Sequence, residues 1–318
     1  MRVATHPGTF HADDVFAVAA LGLVHGPLEV VRTRDAGLQR ACDLRVDVGG
    51  RFDPATGDFD HHQRGGAGAR ANGIRLASFG LVWQVHGEAL AGGAEAATAI
   101  DERLVQGVDA NDTGQTISEP LVDDIRPMTV TGVIAAMNPA WDEELTPEQE
   151  DARFGEAVAL ATGILEREIA GAAAFARAQR LVRDAIRRAP DPRVIELDRN
   201  MPWRDTVVTG APEALFVVYP KSDGWGMQAV PKAVGEFANR RDLPAEWAGL
   251  SGEELAAVTG VPDAVFCHGS RFYVSAGSRE GIVELARRAL GVPEAARGQG
   301  LAEGRTRPPE AGPQAESE

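Results

Sequence analysis

Asp58-Phe59-Asp60-His61-His62-Gln63-Arg64 sets two adjacent imidazoles behind an aspartate, in a chain with only seven histidines. Imidazole–carboxylate clusters are costly to keep without a ligand, because the acids repel one another until a cation neutralises them. The run reads as one wall of a metal site, against the plain alternative of a solvated turn. Residues 5–14, 45–50 and 108–114 decide between the two. They add His6 and His11, and they bring Asp13, Asp47 and Asp112 near turn-forming glycines where short apolar runs end.

Those apolar runs set the fold. Residues 2–5, 28–31 and 44–48 read as strands, and 13–25, 76–90 and 95–108 as helices. Strands alternating with helices predict an α/β domain with a mainly parallel sheet. Ligands of such sheets bind beyond the carboxyl ends of the strands, where His6 and Asp47 fall. The glycine-rich residues 65–73 predict a flexible loop, either a phosphate-binding backbone or plain surface.

Further along, the alanine-rich residues 148–188 predict helix, with an apolar stripe at Leu160, Ile164, Leu165, Ile169 and Phe175. Strands are expected at 193–197, 214–219, 226–230, 264–267 and 272–275, and helices at 252–258 and 279–290. This is a smaller α/β or α+β C-terminal domain. Residues 293–318, rich in Pro, Gly, Glu and Ala, predict a disordered tail. The expected organisation is a metal-binding catalytic domain over 1–128, a helical connector over 129–190, a substrate-binding domain over 191–292 and a tail over 293–318.

Composition narrows the function classes. The chain has 318 residues, 44% apolar and 25% charged, as in a soluble two-domain protein. No apolar run reaches the roughly 18 residues of a membrane span. The opening Met1-Arg2-Val3-Ala4-Thr5 runs straight into a strand, unlike a signal peptide. Cys42 and Cys267 form no metal spacing and no disulfide framework. They are expected to be small buried apolar residues in a reducing, cytoplasmic setting. A net charge of -15 argues against broad, charge-driven duplex binding but leaves room for a nucleotide or short-oligomer enzyme.

Imidazole plus carboxylate suits manganese, zinc, iron or cobalt better than calcium. Ligands drawn from separate loops suggest two ions about 3.5–4 Å apart, which need a shared carboxylate. Asp47, central at a strand end, is the expected bridge. The expected metal ligands are His6, His11, Asp13, Asp47, His61 and Asp112. Asp60 is expected behind them, orienting His61 through its free ring nitrogen. Asp109 is either a further ligand or a helix-end cap. The expected catalytic residues are Asp47, His62 and Arg64, with His62 and Arg64 neutralising charge on phosphoryl oxygens. Arg64, and Arg240 and His268 from the second domain, are candidate substrate contacts, with a rim ion pair as the alternative for Arg240. His25 and His86, on predicted helices, are expected to be structural or surface residues.

The run Thr5-His6-Pro7-Gly8-Thr9-Phe10-His11-Ala12-Asp13-Asp14 resembles the T-H-x-G-T-F-H-x-D-[ED] opening of the melanocyte-proliferating-gene-one exonuclease family. Val46-Asp47-Val48-Gly49-Gly50, with Asp53-Pro54 after it, and Phe59-Asp60-His61-His62-Gln63-Arg64 resemble its next motifs. Val108-Asp109-Ala110-Asn111-Asp112-Thr113-Gly114 is similar to its fourth. The resemblance continues through Pro202-Trp203, residues 225–231, Leu243-Pro244, residues 247–250 and Phe266-Cys267-His268. That family falls within the DHH phosphoesterase superfamily. The resemblance implies a DHH-type N-terminal domain joined to a smaller C-terminal one, two manganese ions, and hydrolysis of phosphodiesters or phosphoanhydrides. A 3′-to-5′ exonuclease acting on RNA or short oligonucleotides is the implied activity. The alternatives are a hydrolase of a small phosphorylated substrate (pyrophosphate, a cyclic dinucleotide or a metabolite) and a non-catalytic metal-binding regulatory protein. No membrane partner is expected, and a homodimer is one oligomeric state open to the chain. His11 stands where the superfamily usually has an aspartate, a swap this family shares. Of the family's paired-glycine turn before the last helix, only Gly277 remains.

Overall fold

The computed structural model describes residues 1–119, 121–122, 125 and 127–291; the expected tail lies outside the described residues. The chain divides into two compact units, the first ending at Arg177 and the second beginning at Ala178.

In the first unit the elements run β1 (Arg2–Thr5), α1 (Ala12–His25), β2 (Glu29–Arg32), α2 (Ala36–Arg40), β3 (Leu44–Val46), β4 (Phe52–Asp53) and β5 (Asp58–Phe59). Then come α3 (Ser78–Ala91), α4 (Ala94–Ile100), α5 (Gln106–Asp112), α6 (Val130–Ala135) and the start of α7 (Pro147–Arg188). The strands order as β2-β1-β3-β5-β4. β2, β1, β3 and β5 are parallel, and β4 runs antiparallel at the edge. Val3, Val46 and Phe59 are buried with Val15, Phe16 and Phe79 of the covering helices in one core. A buried phenylalanine of this kind contributes about 2–3 kcal/mol, so the sheet–helix contact fixes the strand ends firmly.

Two expectations need correction here. The helix expected over 95–108 continues to Asp112, through a π-helical stretch at Asp101–Val105 that joins α4 to α5. Asp112 is therefore the last residue of a helix and not part of a loop. Residues 65–73 are not a free loop either. Leu76 N–H donates to Gly68 O (3.0 Å) and Arg70 N–H to Ile74 O (2.8 Å), closing a small hairpin. Arg70 forks onto Asp101, and Gln115 Nε2 donates to Gly73 O (3.0 Å). These side chains tie the hairpin to the α4–α5 segment, which glycine content alone does not reveal.

In the second unit follow β6 (Val194–Glu196), α8 (Arg204–Gly210), β7 (Phe216–Lys221), β8 (Gly224–Ala229), α9 (Gly252–Thr259), β9 (Ala264–Cys267), β10 (Tyr273–Ala276) and α10 (Arg279–Gly291). The order is β6-β7-β8-β10-β9, with only β6 and β7 parallel. One face packs Phe216, Val218, Met227 and Val274 against Leu255, Ile282 and Leu285. The other packs Ile195 and Val217 with Val207, Val182 and Ala185. The stretch expected as a connector is shared between the units. Phe154, Ala157, Ala161 and Leu165 of α7 belong to the first core, and its end to the second. Cys42 and Cys267 are buried free thiols. Among the described residues no helix is long and apolar enough to cross a membrane.

Candidate metal centre

Three neighbouring parallel strands deliver the site. His6 follows β1 directly, Asp47 follows β3, and Asp60, His61 and His62 follow β5. Because the strands run the same way, all these residues emerge at one edge of the sheet. Asp47 takes a left-handed backbone (φ 56°), a conformation that aspartate tolerates better than most residues. Gly49 and Gly50 follow at φ 101° and 71°, where a Cβ would be strained, and turn the chain away from the site. The cavity at this edge has a volume of about 800 Å³ and is lined by His6, His11, Asp47, His61, His62 and Asp112, among others.

Asp47 sits at the centre. Its Oδ2 is 3.3 Å from His6 Nε2, and its Oδ1 is 3.2 Å from His61 Nε2 and 3.3 Å from His62 Nδ1. Ser78 Oγ donates to the same Oδ1 at 3.3 Å. His61 Nε2 also lies 3.1 Å from Asp112 Oδ2, and His11 Nδ1 lies 3.9 Å from Asp112 Oδ1. His6 Nδ1 donates to Pro7 O (3.2 Å), which leaves Nε2 as the nitrogen with the lone pair. Three overlapping groups bring ligand atoms within 4.8 Å of one another: His6, His11 and Asp47; Asp47, His61 and His62; Asp13, His61 and Asp112. All six expected ligands are therefore together.

Whether a cation fits can be judged from the buried polar atoms. His6 Nε2, His61 Nε2 and Asp14 Oδ2 are buried with no hydrogen-bond partner, although His6 Nε2 lies 3.3 Å from both Asp14 Oδ2 and Asp47 Oδ2, and His61 Nε2 lies 3.2 Å from Asp47 Oδ1 and 3.1 Å from Asp112 Oδ2. Buried polar groups are almost always paired. Lone pairs that converge at this spacing without hydrogen-bond geometry are what a shared cation would satisfy. The charges agree. The Asp47 contact raises His6 above the ordinary imidazole range. His61 is pushed up to about 10, burial opposing and Asp112 and Asp47 prevailing. His62 rises to about 9 beside Asp47 and Asp60. Burial would raise Asp47, yet His6, His61 and His62 hold it well below the usual carboxylate range. Burial pushes Asp14 up to about 7 and, with Asp47 and Asp112 near, Asp13 well above its usual range. Without metal, protons must supply the positive charge.

The neighbouring acids have other tasks. Asp60 does not orient His61. Its Oδ1 accepts from His62 Nδ1 (2.8 Å) and from the His62 amide (3.0 Å), because the turn after β5 brings residue 62 back over residue 60. Asp109 is not among the clustered ligands. Its Oδ1 accepts from Gly80 N (2.9 Å), and its Oδ2 from Arg70 Nη1 (2.7 Å). Asp13 accepts from Ser78 N (3.0 Å) and Phe79 N (2.7 Å). Two aspartates distant in sequence thus cap α3, whose own N-cap is Ala77 and offers no side-chain acceptor. Residue 80 must be glycine, since a Cβ would fall 1.9 Å from Asp109 Oδ2. Asp13 keeps one lone pair on each oxygen for a cation.

Three candidates from the sequence have other surroundings. Arg64 is exposed and does not line the cavity. Arg240 engages backbone carbonyls of its own unit. Its guanidinium donates to Val208 O (2.6 Å), Ala211 O (2.6 Å) and Ala214 O (3.0 Å), closing the end of α8. His268 Nδ1 accepts from Ser270 N (3.0 Å), and its ring stacks on Phe272 at 4.5 Å. Three contributors escaped the sequence reading: Asp14, Ser78 and Asn138. Asn138 clamps the loop between His6 and His11 by accepting from Phe10 N and donating to Phe10 O, both at 2.9 Å. Nothing local marks an asparagine 128 residues away for this role. Asp14, beside Asp13 in the sequence, had the clearer signal.

Residues 2–290 match the family model MYG1_exonuc, described as "Uncharacterised protein family (UPF0160)". An MYG1 protein of Schizosaccharomyces pombe is 30% identical over 92% of this chain and 98% of its own length. The MYG1 exonuclease of Homo sapiens is 32% identical over 91% of this chain and 85% of its own. An MYG1 protein of Chlamydia muridarum is 30% identical over 89% and 94%. No solved structure matches the chain.

Proposed function

Because the chain belongs to the MYG1_exonuc family, we propose that it is a metal-dependent phosphoesterase with a DHH-type catalytic unit, working as a 3′-to-5′ exonuclease on RNA or short oligonucleotides. The nuclease part of the reading is supported by relatives that carry the name MYG1 exonuclease. The observation that carries it is the division of Asp47 between His6 on one oxygen and His61 on the other. One carboxylate so placed serves both halves of the cluster.

His6, His11, Asp13, Asp47, His61 and Asp112 would hold two divalent ions, manganese being the pair proposed. Such ions supply charge neutralisation at phosphorus and a bound water acidified to near neutrality. Asp47 keeps His6 and His61 in place. Asp60 fixes the His62 ring through Nδ1, so Nε2 is left as the donor at the cavity wall. Held to Asp60 through Nδ1, His62 can present a proton on Nε2 to a phosphoryl or leaving-group oxygen. The roughly 800 Å³ cavity matches a ligand of nucleotide size.

A second reading, hydrolysis of a small phosphorylated compound, is favoured by one feature. Among the described residues, Phe, Tyr and Trp are absent from the cavity lining, which there offers no such ring for stacking a strand of bases. Metal analysis of the purified protein, followed by assays with that metal on a short RNA, a dinucleotide and pyrophosphate, separates the readings. The exonuclease reading expects a strand shortened from its 3′ end. Cleavage of pyrophosphate alone would transfer the function to the second reading. Tight metal binding with no turnover across the panel would sink both.

A further inference from the structure

Among the described residues, Arg34 is the only arginine or lysine that lines the metal cavity. Its placement repeats that of His6. The pairing of β2 with β1 ends at Thr33, whose N–H donates to Thr5 O (2.8 Å), so residue 34 is the first past the end of that ladder, as His6 is past β1. The backbone on both sides is tied. Asp35 N–H donates to Thr33 Oγ1 (3.1 Å), and Gln39 Nε2 to Thr33 O (2.9 Å). Asp35 Oδ1 accepts from Gly37 N (2.7 Å) and Leu38 N (2.8 Å).

The arginines nearby are engaged. Arg32 bonds to Gly8 O and lies 4.9 Å over the Phe154 ring, its side chain 1% exposed. Arg45 and Arg51 both bond Asp58. Arg34 is exposed and makes no hydrogen bond or ion pair among the described residues. A guanidinium left unpaired beside a strongly acidic cluster suits an anion entering between them, and it grips two phosphate oxygens in a fork.

Strand order says which phosphate. β2 is two strands from β3, which carries Asp47, or roughly 10 Å at the usual inter-strand spacing. Arg34 therefore faces the cavity from its β2 side, with the cluster centred on Asp47 toward β3, where it can grip a group flanking the phosphate at the cations. We propose that Arg34 anchors a second phosphate, so that the preferred substrate carries a further phosphate next to the ester being cleaved. This rests on the phosphoesterase reading above.

The test uses one dinucleotide in two forms, with and without a 5′-terminal phosphate, and the full-length, metal-loaded protein. Replacing Arg34 by Gln is expected to raise KM for the phosphorylated form by about 10- to 100-fold, the range for a lost charged hydrogen bond. KM for the unphosphorylated form and kcat for both should stay close to the parent, and Arg34→Lys should recover part of the loss. Arg40→Gln, an exposed change on α2 away from the cavity, controls for net charge. Direct calorimetric binding of both dinucleotides, with calcium replacing the reactive metal, gives a readout that needs no turnover. If Arg34→Gln leaves the preference for the terminal phosphate intact, or Arg40→Gln matches it, the assignment is overturned. If the parent binds the dinucleotides without cleaving them, the hydrolase reading fails while the binding difference still decides Arg34. If the parent binds neither, both are lost.

Discussion

The two five-stranded sheets of this protein put similar residue types to opposite uses. In the first, four adjacent strands are parallel, and their carboxyl ends gather His6, Asp47, His61 and His62 at one edge. In the second, most neighbours are antiparallel, so successive carboxyl ends point to opposite edges. Its polar side chains mend local backbone. Arg240 closes α8, His268 braces a turn, and Asp263 Oδ2 accepts from Ser278 Oγ (2.5 Å) at the start of α10. Among the described residues every His–Asp group able to hold a cation falls in the first unit. Strand direction, more than residue content, decides whether charged side chains become a site.

The contrast makes its largest prediction at Asp47. Asp47→Asn keeps the shape but halves the reach to the two sides of the cluster. Turnover on any phosphodiester the parent cleaves should fall by about a hundred- to a thousandfold, with bound metal reduced and circular dichroism unchanged. Parent-like hydrolysis would mean that this carboxylate is not the bridge.

The counterpart in the second unit is Arg240→Ala. It strips three carbonyl oxygens of a donor, and it should lower unfolding stability by about 2–3 kcal/mol. Metal content and affinity should not change. A loss of metal in this variant would show that the second unit supports the site directly.

The smallest effect expected is on pH. His61 and His62, raised to about 10 and about 9, are stabilised as imidazolium by the carboxylates. Their contribution is complete below the ordinary imidazole value of about 6.5 and is lost as pH rises through 9–10. Metal-free protein should therefore lose stability between about pH 7 and 10, on the order of 1–2 kcal/mol once the exposure of His62 is allowed for. Metal affinity should rise over the same window, since ligation needs the neutral rings. Denaturant midpoints with and without metal check both signs. A flat metal-free profile would show that the rings are neutral there.

The order of β1, α1 and β2, and the ends where His6 and Asp47 emerge, were legible because apolar runs and turn residues are local signals. That His6, His11, Asp13, Asp47, His61 and Asp112 would cluster was legible too, since imidazoles and carboxylates concentrate in four short stretches. β4 and β5, two residues each, carry too little pattern to be read. Asp109 and Asp112 show the limit most clearly. Both are acids near one helix end, yet Asp109 caps α3 and pairs with Arg70 while Asp112 joins the cluster.

By itself the sequence determined which side chains could coordinate, and where β1, α1, β2, β3 and α3 of the first unit would lie, because both depend on residues close along the chain. The tertiary structure decided what each charge faces. It turned Asp60 to His62, gave Asp13 and Asp109 to the amides of α3, set Arg240 against the carbonyls at the end of α8 and left Arg34 in the cavity wall. Those outcomes depend on groups up to 66 residues apart meeting within about 3 Å, and no local pattern in the chain encodes such distances.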